Sequence, residues 1–157
     1  MNPALRKLFR KGAPATTAVD AFIADTEFPL VDGSDVTFVY RGQADAVYLR
    51  CWISGLDTAQ PFQALHGSDL WATTIELPKG SRIEYKFEVE QHGERQLVVD
   101  PLNPVLAHDP FGANSVCQGY GYERPPWTHV DPEARLGTLE TRQIASECLG
   151  ATRDVQV

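Results

Sequence analysis

Alternation of apolar and polar residues with a period of two dominates the middle of the chain. Successive side chains of a β-strand point to opposite faces, so this period predicts strands with one core face and one solvated face. The cleanest example is residues 82–90, where five charged residues alternate with Ile83, Tyr85, Phe87 and Val89. The same period predicts three further strands, at residues 36–40, 47–51 and 71–77.

The residues between these segments predict tight connections. His92-Gly93 is typical of a two-residue hairpin turn, with Leu97–Val99 as the returning strand. Pro78-Lys79-Gly80 predicts a second hairpin, which would join the strand at 71–77 to the strand at 82–90. With a last strand at 114–118, these short strands predict an all-β, immunoglobulin-like antiparallel β-sandwich.

The two ends of the chain differ from the middle. Val19, Phe22 and Ile23 are spaced for one face of a helix, and the more basic stretch before them predicts either a short docking helix or a frayed end. Two further strands are expected around Gly150. We therefore expect an N-terminal helical segment at 1–28, the sandwich at 29–124, and a linker followed by the opening strands of a truncated second domain at 125–157.

Net charge, apolar run length and cysteine spacing each exclude some partners, locations or sites. The 157 residues carry a formal net charge of -7, which disfavours nucleic acid and anionic membranes as partners. No apolar run is long enough for a secretory leader or a membrane span, so we expect a cytoplasmic protein. Cys51, Cys117 and Cys148 lack paired spacing, which predicts neither a disulfide framework nor a zinc site.

Catalytic and cofactor motifs are missing from the sequence. No serine lies in a G-x-S-x-G elbow, and no spacing marks a carboxylate pair for glycoside cleavage. The four histidines lie in separate turns without H-x-x-x-H spacing, and no phosphate-binding loop is present. We therefore assign no catalytic residue, no metal ligand and no cofactor.

One strand surface is a candidate binding face. Lys86 lies on the polar side of the strand at 82–90, and Trp52 and Trp71 are close to strand positions. Indole rings can stack on the flat faces of sugars. Trp71 falls in an apolar stripe, which favours a core position, whereas Trp52 is open to either interpretation.

Several segments resemble known families. Val47–Leu49, Leu70–Gly80, Tyr85–Phe87 and Asp100-Pro101 resemble the early-set immunoglobulin-like fold of family-48 carbohydrate-binding modules. A closer resemblance is to the N-terminal domain of enterochelin-esterase-like hydrolases, carried by residues 100–104 and 110–116. Residues 137–157 also resemble the opening strands of that family's hydrolase domain.

The closer resemblance implies a non-catalytic N-terminal module of a cytoplasmic serine esterase. The catalytic serine, acid and histidine would then lie beyond Val157. The module is expected to pack on the hydrolase domain in cis and to shape substrate access or oligomerisation, so a second copy of the chain is a further candidate partner.

The alternative implied by the resemblance is a carbohydrate-binding module for α-glucans such as glycogen. Lys86 and Asn114 match the polar contacts of glycogen-binding members, and Trp52 is a further candidate contact. The two aromatic positions of the sugar platform correspond to Leu56 and Leu97 here. Because stacking supplies much of the affinity for a sugar ring, only weak carbohydrate binding is expected.

Overall fold

A computed structural model describes residues 1–53, 55–129, 131–135 and 137–157 and divides into two units, Met1–Glu123 and Arg124–Val157. Over its described residues, the first unit contains two helices and ten strands. These are α1 (Pro3–Leu8), α2 (Thr16–Ala24), β1 (Leu30–Asp32), β2 (Asp35–Arg41), β3 (Ala46–Cys51), β4 (Ala59–Pro61), β5 (Gln63–Ala64), β6 (Leu70–Glu76), β7 (Arg82–Gln91), β8 (Glu94–Val98), β9 (Leu106–Asp109) and β10 (Gly112–Gln118).

The strands form two antiparallel sheets. The four-stranded sheet has the order β1-β2-β6-β5. The six-stranded sheet has the order β4-β3-β7-β10-β9, and β8 pairs with the part of β7 that β10 leaves free. The all-β antiparallel sandwich expected from the period-two segments is therefore confirmed.

The predicted apolar stripes form the core between the two sheets. Val36 and Phe38 of β2 face Leu49, Tyr85 and Phe87 of the six-stranded sheet in one buried cluster. Aromatic rings meet edge to face in this layer, with ring centroids 4.7 Å apart for Phe38 and Tyr85. Burial of these side chains supplies most of the driving force for sandwich formation.

The opposite face of the four-stranded sheet is covered by the two helices. Leu5 of α1 and Val19 of α2 are buried together with Leu30, Val39 and Leu70 of the sheet. The basic N-terminal stretch therefore contains a helix, and Leu5, its one buried residue, is inaccessible to solvent. Because β2 is buried on both faces, Val36 to Val39 are all buried in succession.

The predicted hairpin at Pro78-Lys79-Gly80 is wrong. β6 pairs with β2 and β5, whereas β7 pairs with β3, β8 and β10, so this connection passes from one sheet to the other. The backbone N–H of Gly80 donates to the carbonyl of Tyr120, which ties the connection to the segment after β10. Turn residues specify only that the chain reverses direction. The following strand can bury its apolar side chains in the same core from either sheet, so the turn does not decide which sheet it joins.

The hairpin predicted at His92-Gly93 is confirmed. β7 and β8 are joined by these two residues alone, with φ of 53° at His92 and 80° at Gly93. Two consecutive positive φ values match the twist of antiparallel strands, and the second position favours glycine. The His92 backbone N–H also donates to the Asp45 carboxylate at 2.6 Å.

The second unit contains a short 3₁₀ helix (Pro126–Thr128) and two antiparallel strands, β11 (Thr141–Ser146) and β12 (Ala151–Gln156). The two strands expected around Gly150 are thus present, with Gly150 at φ 58° in their connection. All of their side chains are exposed except that of Ser146, which is half-buried. Within the described chain, neither helix is long and apolar enough to cross a membrane.

Deletion of all residues after Trp127 is expected to leave the sandwich folded, because both buried clusters lie within Met1–Glu123. The midpoint of thermal unfolding should change by only a few degrees. Differential scanning calorimetry of the full and shortened chains measures this change. A fall of more than ~10 °C would contradict the expectation, since one kcal/mol corresponds to about 2 to 8 °C in a domain of this size.

Candidate functional site

The outer face of the six-stranded sheet carries the charged half of the β7 pattern. Lys86 is half-buried and lies directly opposite Arg50 of β3. Arg50 pairs with Glu88 at 3.1 Å, and Arg95 pairs with Glu88 at 3.4 Å and with Glu90 at 3.0 Å. Most charges of this face therefore neutralise one another. Lys86 takes part in none of the salt bridges formed by the described residues.

Asn114 lies on β10, on the same outer face. Its side-chain amide donates to the Glu84 carboxylate at 3.0 Å and lies 3.5 Å from the Asp109 carboxylate. The hydrogen bonds that Glu84 accepts from Asn114 and then Arg82 hold the pKa of Glu84 below its ordinary value. The Asn114 amide is thus already engaged by groups of the protein.

The other candidate contact residues lie in different environments. Trp52 directly follows β3, and 82% of it is exposed. Leu97 lies on β8 opposite Glu88 and is 56% exposed, so it belongs to the outer face. Leu56 instead packs against the core between the sheets. Trp71 also packs against that core, and its indole N–H donates to the Gly42 carbonyl at 3.1 Å, which confirms the core interpretation.

These positions define what the outer face offers to a ligand. Lys86 and Asn114 lie on neighbouring strands, and Trp52 lies after the end of a third. Of the two positions expected to hold aromatic platform residues, one leucine is exposed and the other is used by the core. Among the described residues, the face offers the Lys86 ammonium group, the exposed indole of Trp52 and the half-buried ring of Tyr48, which lies opposite Glu88, and both expected platform positions are leucine.

A second polar cluster lies inside the sandwich. The buried Tyr85 hydroxyl donates to Asp100 Oδ2 at 2.7 Å and accepts from Asn103 Nδ2 at 3.0 Å. Asn103 Nδ2 also donates to the Val116 carbonyl at 2.8 Å, and the Asp100 backbone N–H donates to Ser115 Oγ at 2.8 Å. The cluster joins β7 and β10 to the loop between β8 and β9.

That loop is ordered by its own side chains as well. Asp100 Oδ1 accepts from the backbone N–H of Leu102, and Asn103 Oδ1 accepts from that of Val105. Each carboxylate or amide spans a proline, whose fixed φ favours such turns. No buried side-chain nitrogen or oxygen lacks a hydrogen-bond partner within the described chain.

Burial sets the ionisation of this cluster. Burial raises the pKa of the Asp100 carboxyl to about 6, while the hydrogen bonds from Tyr85 and Leu102 oppose that rise. Burial and the adjacent Asp100 also raise the pKa of Tyr85 above its ordinary value. Burial alone raises the pKa of the Cys117 thiol to about 12, so this thiol is protonated near neutral pH.

The sequence contains a signal for the order of this loop but none for its link to Tyr85. The signal was the repeated placement of an Asx residue before proline in Asp100-Pro101 and Asn103-Pro104. Alternation showed that Tyr85 points to the core, but it did not show which groups satisfy the hydroxyl. Among the described residues, no three His, Cys, Asp or Glu side chains are grouped to hold a metal ion.

Comparisons with known proteins place this arrangement in a fold class. No protein-family model matches the chain, and no curated protein matches it. Solved structures do match. The enterobactin esterase FES from Shigella flexneri, determined in the presence of enterobactin, is similar with a TM-score of 0.59 and 21% identity, over 78% of this chain and 39% of that one.

A second esterase gives the same result. Ferric enterobactin esterase from Salmonella typhimurium is similar with a TM-score of 0.59 and 22% identity, over 78% of this chain and 40% of the esterase. The chain therefore spans about two fifths of the length of these esterases. The expected resemblance to a domain of enterochelin-esterase-like proteins is confirmed at the level of the fold.

We predict that the outer face binds α-glucans with a dissociation constant of about 1 mM or weaker, equivalent to ~4 kcal/mol. The reason is that leucine occupies both positions expected to hold the aromatic platform, and one of the two, Leu56, packs against the core. Calorimetric titration with a maltooligosaccharide measures this affinity. Leu97→Trp adds an indole to the exposed face and should tighten binding by about 1 kcal/mol, roughly fivefold. Micromolar binding by the unaltered chain would contradict the prediction.

We also predict a pH dependence of stability that comes from Asp100. Its folded-state pKa is raised above the unfolded value of ~3.9, so its stabilising contribution is complete below that pH and is lost as the pH rises through about 6. Relative to Asp100→Asn, the unaltered chain should gain about 2 kcal/mol in unfolding free energy between pH 7.5 and pH 4.5.

Urea unfolding at the two pH values measures this gain. Asp57→Asn is the matched control, because Asp57 is an exposed carboxylate in a loop. The control should keep the pH dependence of the unaltered chain. Parallel pH profiles for the unaltered chain and Asp100→Asn would show that Asp100 does not titrate differently in the folded state.

Proposed function

We propose that this chain is the non-catalytic N-terminal module of a cytoplasmic serine esterase of the enterochelin-esterase type. The observation that carries the proposal is the fold likeness, which extends over 78% of this chain and about two fifths of two such esterases. In this proposal residues 1–28 and 29–124 make up the module. Residues 125–157 are the linker and the opening strands of the hydrolase domain.

The exposed hairpin β11–β12 supports a hydrolase domain as partner in cis. Val155 lies opposite Arg142, and Ile144 lies opposite Arg153, so one face of the hairpin presents two branched apolar side chains. Ile144 is 52% exposed and Val155 is 38% exposed. An isolated two-stranded hairpin is marginally stable in water, and its outer edges can pair with further strands. A hydrolase sheet would supply strands that pair with these edges and apolar side chains that cover this face.

The role that follows is positional. The first unit has a rigid polar cluster and a well-packed core, and the module would use them to present fixed loops beside the hydrolase domain. It would thereby shape substrate access or the association of the whole esterase. The serine, acid and histidine that perform the hydrolysis belong to the hydrolase domain in this proposal.

A weak carbohydrate-binding module is the second candidate function. The exposed Trp52, the exposed Leu97 and the Lys86 ammonium, which forms no salt bridge with a described residue, favour it, since they lie on or next to one strand face. Engagement of Asn114 by Glu84 and burial of Leu56 weigh against it. The esterase module is the better supported of the two.

The complete native reading frame that contains this chain is expected to encode an active esterase. Its product should hydrolyse p-nitrophenyl butyrate and enterobactin, whereas residues 1–157 alone should hydrolyse neither. Ile144→Lys in the complete product should lower the activity about tenfold or more by removing an apolar contact with the hydrolase sheet. Release of p-nitrophenol and of the hydrolysed siderophore measures the two reactions.

Thr152→Lys is the control for this experiment, because Thr152 lies on the opposite face of the hairpin. It should keep most of the activity. Turnover by residues 1–157 that follows the folded protein through purification would contradict the proposal. So would a complete product that folds but hydrolyses no ester.

A further inference from the structure

A groove runs between the two N-terminal helices. It has a volume of about 460 Å³ and is lined by Ala4, Lys7, Leu8, Ala18, Ala21, Phe22, Asp25 and Thr26. The α2 residues in this set follow the spacing i, i+3, i+4, i+7, which places them on one helical face. Val19, one residue along, is buried against the sheet instead. Phe22 and Leu8 also pack against the helix-side core cluster, whereas Ala18 and Ala21 are exposed. The groove therefore lies between core-packed side chains and the exposed alanines of α2.

The groove has a floor of small side chains. Ala18 and Ala21 are exposed, and Ala4, Leu8 and Phe22 are half-buried. Alanine on a helix surface lets another helix approach closely. The floor is thus suited to a helical partner rather than to a small polar ligand.

The two walls of the groove carry opposite charges. Lys7 is exposed on α1, and Asp25 is exposed at the end of α2. Neither takes part in a salt bridge with another described residue. The charge separation extends beyond the groove, because α1 and the residues after it are basic (Arg6, Arg10, Lys11), whereas Glu27 follows Asp25 at the end of α2. Asp20 of α2 does not add to it, since it is paired with Arg41.

Asp25 lies where a helix favours a cation. It is the C-cap residue of α2, and its backbone N–H donates to the Ala21 carbonyl. The carboxyl end of a helix has a negative partial charge, and α2 has no basic residue in its last turn. The Asp25 carboxylate therefore gains from a cation supplied from outside its own helix.

A surface with a basic half and an acidic half is complementary to its own copy after a two-fold rotation. We propose that the α1–α2 face is an isologous interface between two copies of this chain. In this dimer Lys7 faces Asp25 of the partner subunit, and the apolar groove receives the partner's helices. Because both helices are short, the interface is small and the dimer is of the weak, transient class.

Reversing the charge at either position tests whether Lys7 faces Asp25 of the partner subunit. Lys7→Glu and Asp25→Lys should each weaken dimerisation by about tenfold, because each places like charges together twice in a two-fold dimer. An equimolar mixture of the two variants should form a heterodimer, since both pairs are then opposite in charge. Sedimentation velocity over a concentration series up to the millimolar range measures each equilibrium with the full chain.

Matched controls separate the local effect from a change in net charge. Arg135→Glu and Asp57→Lys make the same charge changes at exposed positions outside the groove. Each of these two variants, and an equimolar mixture of them, should dimerise as the unaltered chain does. Ala21→Arg fills the groove floor and should abolish the dimer. Circular dichroism should show the unaltered fold, because Lys7, Ala21 and Asp25 are all exposed.

Three results would overturn the proposal. The first is a chain that stays monomeric throughout the concentration series. The second is a dimer that neither charge exchange weakens, which would place the interface elsewhere, such as on the edges of β11 and β12. The third is loss of dimerisation in both variants without recovery in their mixture, which would show that Lys7 does not face Asp25 of the partner subunit.

Discussion

Satisfaction of the buried Tyr85 hydroxyl is the constraint on which the second half of the sandwich depends. Tyr85 belongs to the central strand β7, and its hydroxyl would be costly to bury without partners. Asp100 and Asn103 supply those partners and thereby hold the loop after β8 against β10. Leu102, within the same loop, packs against the helix-side cluster. One hydrogen-bonded cluster thus connects both hydrophobic layers and positions β9.

The helices are part of the same structure rather than an addition to it. They cover the second face of the four-stranded sheet, so strand β2 is buried on both sides. Arg41 strengthens this contact, since it pairs with Asp69 of the sheet region at 2.8 Å and with Asp20 of α2 at 2.6 Å. Both pairs raise the pKa of Arg41. The outward side of α1 and α2 is then free to act as an interface.

The outer face of the six-stranded sheet is organised mainly for stability. Its carboxylates and guanidiniums pair across β3, β7 and β8, and Asn114 is engaged by Glu84. A face that satisfies its own polar groups offers few of them to a ligand. This balance of charges weighs against tight binding of a sugar on this face.

Local pattern was sufficient for the fold class and for the longer strands, whereas the short strands β1, β4, β5 and β9 were not predicted. Alternation depends on the chain alone, and it identified β2, β3, β6, β7 and the hairpin turn at His92-Gly93. Local pattern did not determine which strands pair with each other, as the connection after β6 shows. Whether β7 joins β6 or the opposite sheet depends on pairings between segments distant in sequence, and turn residues do not encode that choice.

The candidate sites likewise combine features that the sequence indicated with features that only the tertiary structure determined. The sequence alone indicated that Lys86 lies on a polar face, and its Asx-Pro pairs are a local signal for the ordered loop after β8. Only the tertiary structure decided that Asn114 is held by Glu84, that Leu56 belongs to the core, and that Asp100 meets Tyr85. Each of these contacts joins residues on different strands or loops, so it exists only after the sheets have packed. The groove between α1 and α2 likewise requires both helices to lie on one sheet, which no local pattern specifies.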